Sequence, residues 1–307
     1  MNLKKLKEKA GKITGEYIAL QLYDVADYEK YKLYRIVASS TSLEGSTLND
    51  IDTQILLDDG IVSAGKPLEH HLMVKDNYEA ILYAIQNAHS RAMLSPELLC
   101  TLNGMNMKTT GQVVNTALGT IDARTGTYRI TPAYSIALGY YMSAEKIPET
   151  VKSFCKIYSE KMQETDPVQL LQNSFEAHAN LIMIHPWYDG NKRTARLVMN
   201  YMQEYGGLPL TRVHKSEMET YISSLKEYKD NDKIDPLIAF MFSQHIKTLE
   251  DEINQYKGQK KSNDLSCKVS AKLMQAKGKV KKTCRNTSKR ANPKDGSAES
   301  SRRKSEI

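Results

Sequence analysis

The stretch "HPWYDGNKRTAR", His185 to Arg196, places seven strongly polar side chains in twelve residues between two segments of helical, apolar spacing. Pro186 keeps His185 out of the right-handed helical conformation and donates no backbone hydrogen bond, so the chain must turn there. Gly190 permits a left-handed turn or a close backbone approach. A helix restarts near Asn191, and its first N–H groups have no partner inside the helix. Those amides and the helix dipole attract anions. Lys192 and Arg193 lie in that first turn, where cations are disfavoured unless an anionic ligand joins them. Arg196 follows Arg193 by three residues, which predicts that both guanidiniums face one pocket. The arrangement suits phosphate. His185, titrating near neutrality, suits removal of a proton from a hydroxyl. Asp189 suits Mg2+, which takes one or two carboxylates along with phosphate oxygens. Base, metal ligand and anion cradle are the parts of phosphoryl or nucleotidyl transfer.

The flanks supply the frame. Asp166, ahead of Pro167, predicts the start of a helix over "DPVQLLQNSFEAHANLIMIH" that runs into the motif. Gly206-Gly207 predicts the end of the helix after it. Upstream, Ser95 and Pro96 open "SPELLCTLNGMNM". "KDNYEAILYAIQNAHSRAM" sets Tyr78, Ile81, Leu82 and Ile85 on one stripe of a helix. From Tyr17 to Ile85 the spacing is mostly helical, interrupted by "SSTSLEGSTLND" and "DDGIVSAGKPLEHH". Leu3, Leu6 and Ile13 predict a short surface helix. "IPETVKSFCKIYSEKMQ" and "DPLIAFMFSQHIKTLEDEINQY" each predict one more helix. From Val113 onward, "GTIDARTGTYRITPAYSIALGYYMS" carries strand-like spacing with glycine breaks, which predicts a hairpin or extended loop. The body is mainly α with one small β element.

A chain of 307 residues with 40% hydrophobic and 26% charged residues has the composition of a soluble globular protein. No apolar stretch approaches the ~20 residues of a membrane span, and the start lacks the ~7–15-residue apolar region of a secretory signal. A cytoplasmic location is expected. Cys100, Cys155, Cys267 and Cys284 form no CxxC pair, which argues against zinc and for isolated thiols. From Lys257 onward the chain carries 16 Lys and Arg against 4 Asp and Glu, so a net charge of +7 overall leaves the preceding residues at −5. The basic character belongs to a Lys-, Ser- and Asn-rich tail that is expected to be disordered, and within which "VSAKLMQAKGKVKK" could form a weak helix on an acidic partner.

The motif resembles that of the Fic family, HxFx(D/E)GNGRxxR. The apolar lead-in and following helix of "IHPWYDGNKRTARLVMNYM" agree with it, and "TGTYR", Thr125 to Arg129, looks like the family's G-x-Y-R segment before a flap hairpin. The resemblance covers roughly residues 36 to 242. It implies a Fic fold: a helical bundle with a small β-hairpin flap within Ile130 to Pro148. The expected organisation is an N-terminal helical region over 1–75, a catalytic core over 76–250 and the basic tail over 257–307. The resemblance also implies transfer of AMP from ATP to a Ser, Thr or Tyr hydroxyl of a target protein, or of the chain itself. His185 would deprotonate the hydroxyl and Asp189 would hold Mg2+ on the α- and β-phosphates. Asn191 and the amides around Gly190 would cradle phosphate, with Lys192 beside them. Arg193 would neutralise the diphosphate, and Arg196 would reach the γ-phosphate. The flap would hold the target by strand addition.

Far upstream, Ser40-x-x-x-Glu44-Gly45 resembles the family's inhibitory motif, (S/T)xxxE(G/N). Ser40 and Glu44 lie one helical turn apart, and Glu44 pairing with Arg196 would occupy the guanidinium that the γ-phosphate needs. Two departures stand out. Trp187 replaces the usual Phe, and Lys192 replaces the second Gly. The family's Doc-type kinases, which transfer the γ-phosphate, share N-K-R there, but this chain keeps Gly190 and carries the Ser40–Glu44 element in cis. AMP transfer is therefore the expected chemistry and γ-phosphate transfer the alternative. A third reading is a degenerate Fic scaffold with a nucleic-acid-binding tail. That tail offers phosphate contacts without aromatics for base stacking, so nucleic acid is expected only through non-specific contact. No membrane partner is expected; a homodimer is compatible with the reading.

Overall fold

The computed structural model describes residues 2–21 and 28–258. The chain divides into two units, 1–252 and 253–307. Of the second only 253–258 are described, as helix, so the tail expectations lie outside the described residues.

The first unit is built of helices around a central antiparallel pair. α7 (Pro167–Ile184) and α8 (Asn191–Tyr205) are joined by the motif loop and packed along their length. α7 starts as the sequence predicts, with the Asp166 carboxylate accepting from Val168 N–H at 3.1 Å ahead of Pro167. α8 is buried along nearly its whole length, including polar Asn191, Arg193, Thr194, Arg196, Asn200 and Gln203. A polar helix so placed must find all its partners inside the protein. It therefore points to a site at one end and to internal networks elsewhere.

Around this pair stand α2 (Tyr28–Ser42), α4 (Leu68–His89) and α5 (Pro96–Asn106), all touching α8, and α6 (Ile147–Lys161) against α7. α5 opens with the predicted Ser95 cap, its hydroxyl accepting from Leu98 N–H at 3.2 Å. α3 (Asp50–Asp59) carries a capping box between Asn49 and Asp52. α9 (Met218–Asn231) and α10, which occupies 235–252, complete this unit. Among the described residues the β content is two separate antiparallel hairpins, not one: β1 (Val113–Thr116) with β2 (Gly119–Asp122), and β3 (Tyr134–Ser135) with β4 (Gly139–Tyr140). The second falls in the expected flap window.

Two readings need correction. α1 (Leu3–Ala19) is not a short surface helix: it runs 17 residues and buries Leu6, Ala10, Ile13 and Tyr17. Its Thr14 hydroxyl reaches buried His245 at 3.0 Å. On α4 the buried face is Met73, Val74, Asn77, Ala80, Ile81, Ala84 and Ala88, whereas Leu82 is exposed and Tyr78 and Ile85 are half-buried. Counting only large apolar residues missed the alanines, which let α4 approach its neighbours closely. Among the described residues no helix is long and apolar enough to cross a membrane. Cys100 and Cys155 are free thiols.

Candidate functional site

The turn between α7 and α8 is held from three sides. His185 closes α7 at φ 52° and ψ 60°, the left-handed solution to the steric bar that Pro186 imposes. Trp187 is 1% exposed, and its indole donates to the Gly126 carbonyl at 2.9 Å. The larger ring in place of Phe is thus an anchor with a polar handle. The Asn191 side chain closes the loop on itself, accepting from Trp187 N–H at 3.0 Å and donating to the Trp187 carbonyl at 2.8 Å. Both ends of the Asn191 amide are thus engaged with Trp187, and the helix start adds free backbone amides beside it. α8 begins behind Gly190 with no side-chain cap, the condition that attracts an anion to a helix start.

Support from below comes from α5, which the sequence reading passed over as scaffold. Asn103 Nδ2 donates to the Asp189 carbonyl at 3.0 Å and to Thr194 Oγ1 at 3.1 Å, and Asn106 Oδ1 accepts from Asn77 at 2.7 Å. Two asparagines on the apolar face of "ELLCTLNGMN", at i and i+3, were an available signal. Gly190 sits directly on this floor. A Cβ there would lie 2.7 Å from Asn103 Nδ2 and 2.9 Å from Met107 Sδ, at a φ of +78°. Gly190→Ala is expected to lose about 2 kcal/mol, from left-handed strain and overpacking together, which lowers Tm by roughly 5 °C. A melting temperature matching wild type would refute this account of the turn.

Arg129 supports the loop from the flap side. Its Nε donates to the His185 carbonyl at 2.8 Å, Nη1 to the Thr131 carbonyl at 2.8 Å and Nη2 to the Met142 carbonyl at 2.6 Å. Its own N–H reaches the Pro186 carbonyl at 2.9 Å. One buried guanidinium therefore joins the base loop to both ends of the flap segment. "TGTYR" contained this residue without revealing its task.

The motif cations diverge. Arg193, 4% exposed, donates to the Asn106 carbonyl at 3.2 Å and to Met107 Sδ at 3.0 Å, with Asp189 at 3.8 Å. Arg196, also 4% exposed, turns to α2: Nε donates to Ser40 Oγ at 3.0 Å, and Nη2 to the Ser40 carbonyl at 2.9 Å and Glu44 Oε1 at 2.8 Å. The expectation that both guanidiniums face one pocket fails in this state because each has its own buried partners. The other Glu44 oxygen takes Lys192 Nζ at 2.9 Å. Glu44 is thus a bridge across two cations of the first α8 turns, a pairing the spacing alone did not predict for Lys192. It stands in the turn just beyond α2, before Gly45 at φ 101°. Burial alone would push its carboxyl up; the Arg196 and Lys192 charges and hydrogen bonds outweigh that and hold it at about 2.

His185 does not titrate near neutrality as expected. Burial and then the Arg129 charge push it down to about 3, so the imidazole is neutral at pH 7. Asp189 is 62% exposed and accepts from Gly190 N–H at 2.5 Å. Among the described residues no three or more His, Cys, Asp or Glu gather as a metal site. One open carboxylate fits a Mg2+ ion whose remaining ligands are phosphate oxygens and water, and does not fit a resident structural metal. Together the turn offers a neutral imidazole, an exposed carboxylate, uncapped amides and two cations paired with the Glu44 carboxylate.

Comparison with known proteins agrees with this geometry. Residues 93–203 match the model of the Fic/DOC family. The chain is 26% identical over 267 residues to protein adenylyltransferase fic-1 of Caenorhabditis elegans, covering 84% of this chain and 48% of the relative. It is also 26% identical over 226 residues to protein adenylyltransferase Fic of Drosophila grimshawi, covering 72% and 43%. The chain spans about half the length of the curated relatives it matches. Among solved structures, Fic-1 of C. elegans superposes with a TM-score of 0.68 at 21% identity, covering 84% of this chain and 73% of that one. A Fic-domain signaling protein of Bacteroides thetaiotaomicron superposes with a TM-score of 0.66 at 22% identity, covering 84% and 98%. These structures share the fold.

Proposed function

With a Fic domain over residues 93–203 as the premise, we propose that this chain is an autoinhibited protein adenylyltransferase, moving AMP from ATP to a side-chain hydroxyl of a protein. The observation that carries the reading is the uncapped start of α8 beside a neutral imidazole, its flanking cations bridged by Glu44. Relatives named protein adenylyltransferase at 26% identity support it.

In this mechanism the backbone amides at Asn191 to Arg193 receive phosphate oxygens, and Arg193 neutralises charge on the departing diphosphate. Asp189 would hold Mg2+, which supplies charge neutralisation on the α- and β-phosphates. The target hydroxyl oxygen attacks the α-phosphorus and forms a new P–O bond as its proton passes to His185. The bond from the α-phosphorus to the bridging oxygen breaks, and diphosphate leaves with the electron pair. Arg196 is the γ-phosphate ligand of the active state. While it is paired with Glu44, the triphosphate cannot take the productive pose, which is the inhibitory role assigned to Ser40, Glu44 and Gly45. The hairpin over Tyr134–Tyr140 would present its edge to the target strand.

Lys192 favours a second reading, γ-phosphate transfer. Its ammonium is held on Glu44 at 2.9 Å, so in the inhibited state it accompanies Arg196. ATP labelled at the α or the γ position, given to the Glu44→Gly protein with a target lysate, separates the two. Label from the α position is expected on protein; γ-label without α-label would replace adenylyl transfer by phosphoryl transfer.

A further inference from the structure

A general base needs a fixed ring orientation as well as a free lone pair, and enzymes often fix it with a carboxylate on the second imidazole nitrogen. Among the described residues the carboxylates paired with a histidine are Glu204, on His89, and Asp251, on His214. None reaches His185. Arg129 grips the carbonyls of the loop, and the ring has a backbone contact at its edge, to Ile182 of its own helix, which leaves its faces to be held by something else. What lies on the ring is Tyr141, immediately after β4: the two ring centroids are 3.8 Å apart with planes 14° from parallel. Lys229 of α9 places Nζ 4.1 Å from the Tyr141 centroid. With the imidazole filling one face of the phenol, the ammonium takes the other. The same ammonium donates to the Tyr140 carbonyl. Tyr141 is fixed further by its N–H on the Ala133 carbonyl at 3.0 Å and its hydroxyl on Ser135 Oγ at 3.2 Å.

We propose that Tyr141, clamped from behind by Lys229, is the residue that positions the His185 imidazole for proton transfer. Face-to-face contact restrains ring rotation without covering the ring edge, where the one acceptor lone pair of the neutral imidazole lies; Nδ1 is buried, which leaves Nε2 to meet a hydroxyl. The cation over the Tyr141 ring favours this layered arrangement. Tyr141 ends the flap hairpin, so the segment proposed to receive the target strand also orients the base. Lys229 extends the site beyond the 93–203 match to α9. The inference rests on the adenylyltransferase reading for its kinetic consequence, but the stack itself is testable without activity.

The test uses the full chain with histidine isotopically labelled, observing the His185 imidazole resonances by NMR. In wild type the Tyr141 ring current displaces them. Tyr141→Leu is expected to abolish that displacement and to raise the His185 titration midpoint, because burial is reduced while Arg129, Lys192 and Lys229 remain as the facing charges. Tyr141→Phe keeps both properties. Lys229→Gln, a half-buried change that leaves the core alone, shifts the resonances part of the way and serves if the leucine variant does not fold. In the Glu44→Gly background, Tyr141→Leu is expected to lower kcat roughly 10- to 100-fold with KM for ATP unchanged, whereas Tyr141→Phe stays within about threefold. His185 resonances that do not respond to Tyr141→Leu or Lys229→Gln overturn the stack. Equal kcat losses in the leucine and phenylalanine variants, or no loss in the leucine variant, overturn the positioning role. Absence of transfer in every variant counts against the adenylyltransferase reading and leaves the NMR result to decide the stack.

Discussion

Glu44→Gly is expected to tighten ATP binding by about 10- to 100-fold and to raise self-modification from labelled ATP by a similar factor. Glu44 holds Arg196 at 2.8 Å and Lys192 at 2.9 Å, so, if Arg196 is the γ-phosphate ligand as proposed, a triphosphate has to displace a carboxylate from both. A hydrogen bond to a charged group contributes about 1.5–3 kcal/mol, and each 1.4 kcal/mol is tenfold in affinity. The gain comes with a loss. Arg196 would lose its only carboxylate and keep the neutral acceptors of Ser40 and Tyr221 in a buried position, so the variant should melt below wild type as its activity rises. Lowering the pH should not imitate the mutation. The folded pKa of Glu44 is depressed from 4.5 to about 2, so the pair is fully formed above pH 4.5 and is lost only as pH falls towards 2. On the proposed reading, the Glu44 restraint should therefore be flat across the physiological range, and its release needs the Glu44 contacts to Arg196 and Lys192 to be broken by something other than pH. Calorimetric titration with Mg-ATP and a self-modification assay on the two proteins check the claim. Equal affinities and equal rates would remove Glu44 from any inhibitory role.

The parts that the sequence displayed are those where one residue type suffices for a local task. Asp166-Pro167, Ser95-Pro96 and Gly206 mark helix ends because capping is decided within four residues, and all three stand where expected. The Glu44–Arg196 contact spans 152 residues and was legible only through the resemblance of the Ser40 to Gly45 segment. Tertiary support left weaker traces. Asn103 looked like a polar residue in an ordinary amphipathic helix, and Arg129 like the end of a loop motif. Neither the Tyr141 stack nor Lys229 has any local signature, since both depend on how α9 and the flap meet around His185. The divergence of Arg193 and Arg196 was likewise invisible: i, i+3 spacing puts side chains on one face but does not choose among partners offered by α5 and α2. The depressed pKa of His185 follows from burial that single-residue reasoning does not measure.

That depressed pKa shapes the other large effect, the loss expected on His185→Ala. In the Glu44→Gly background, His185→Ala should reduce transfer by about 100- to 10,000-fold, the range a positioned general base contributes, while Mg-ATP affinity stays nearly unchanged. Burial and Arg129 hold the imidazole at about 3, which keeps it neutral and able to accept a proton at any physiological pH. A base that weak is a poor match for a hydroxyl, because proton transfer improves as the two pKa values approach. Bound triphosphate supplies the correction. Its negative charge at the α8 start, with Lys192 drawn to phosphate while Arg129 stays on its three carbonyls, is expected to raise the imidazole pKa only once the substrate is present. Activity falls as pH drops through the base's pKa, so the acid limb of kcat, which reports the bound complex, should lie at higher pH than that of kcat/KM, which reports the free enzyme. Paired pH profiles of the Glu44→Gly protein measure this separation. Coincident limbs would show that nucleotide does not tune His185, and an alanine variant that keeps more than a tenth of the rate would show that another group takes the proton.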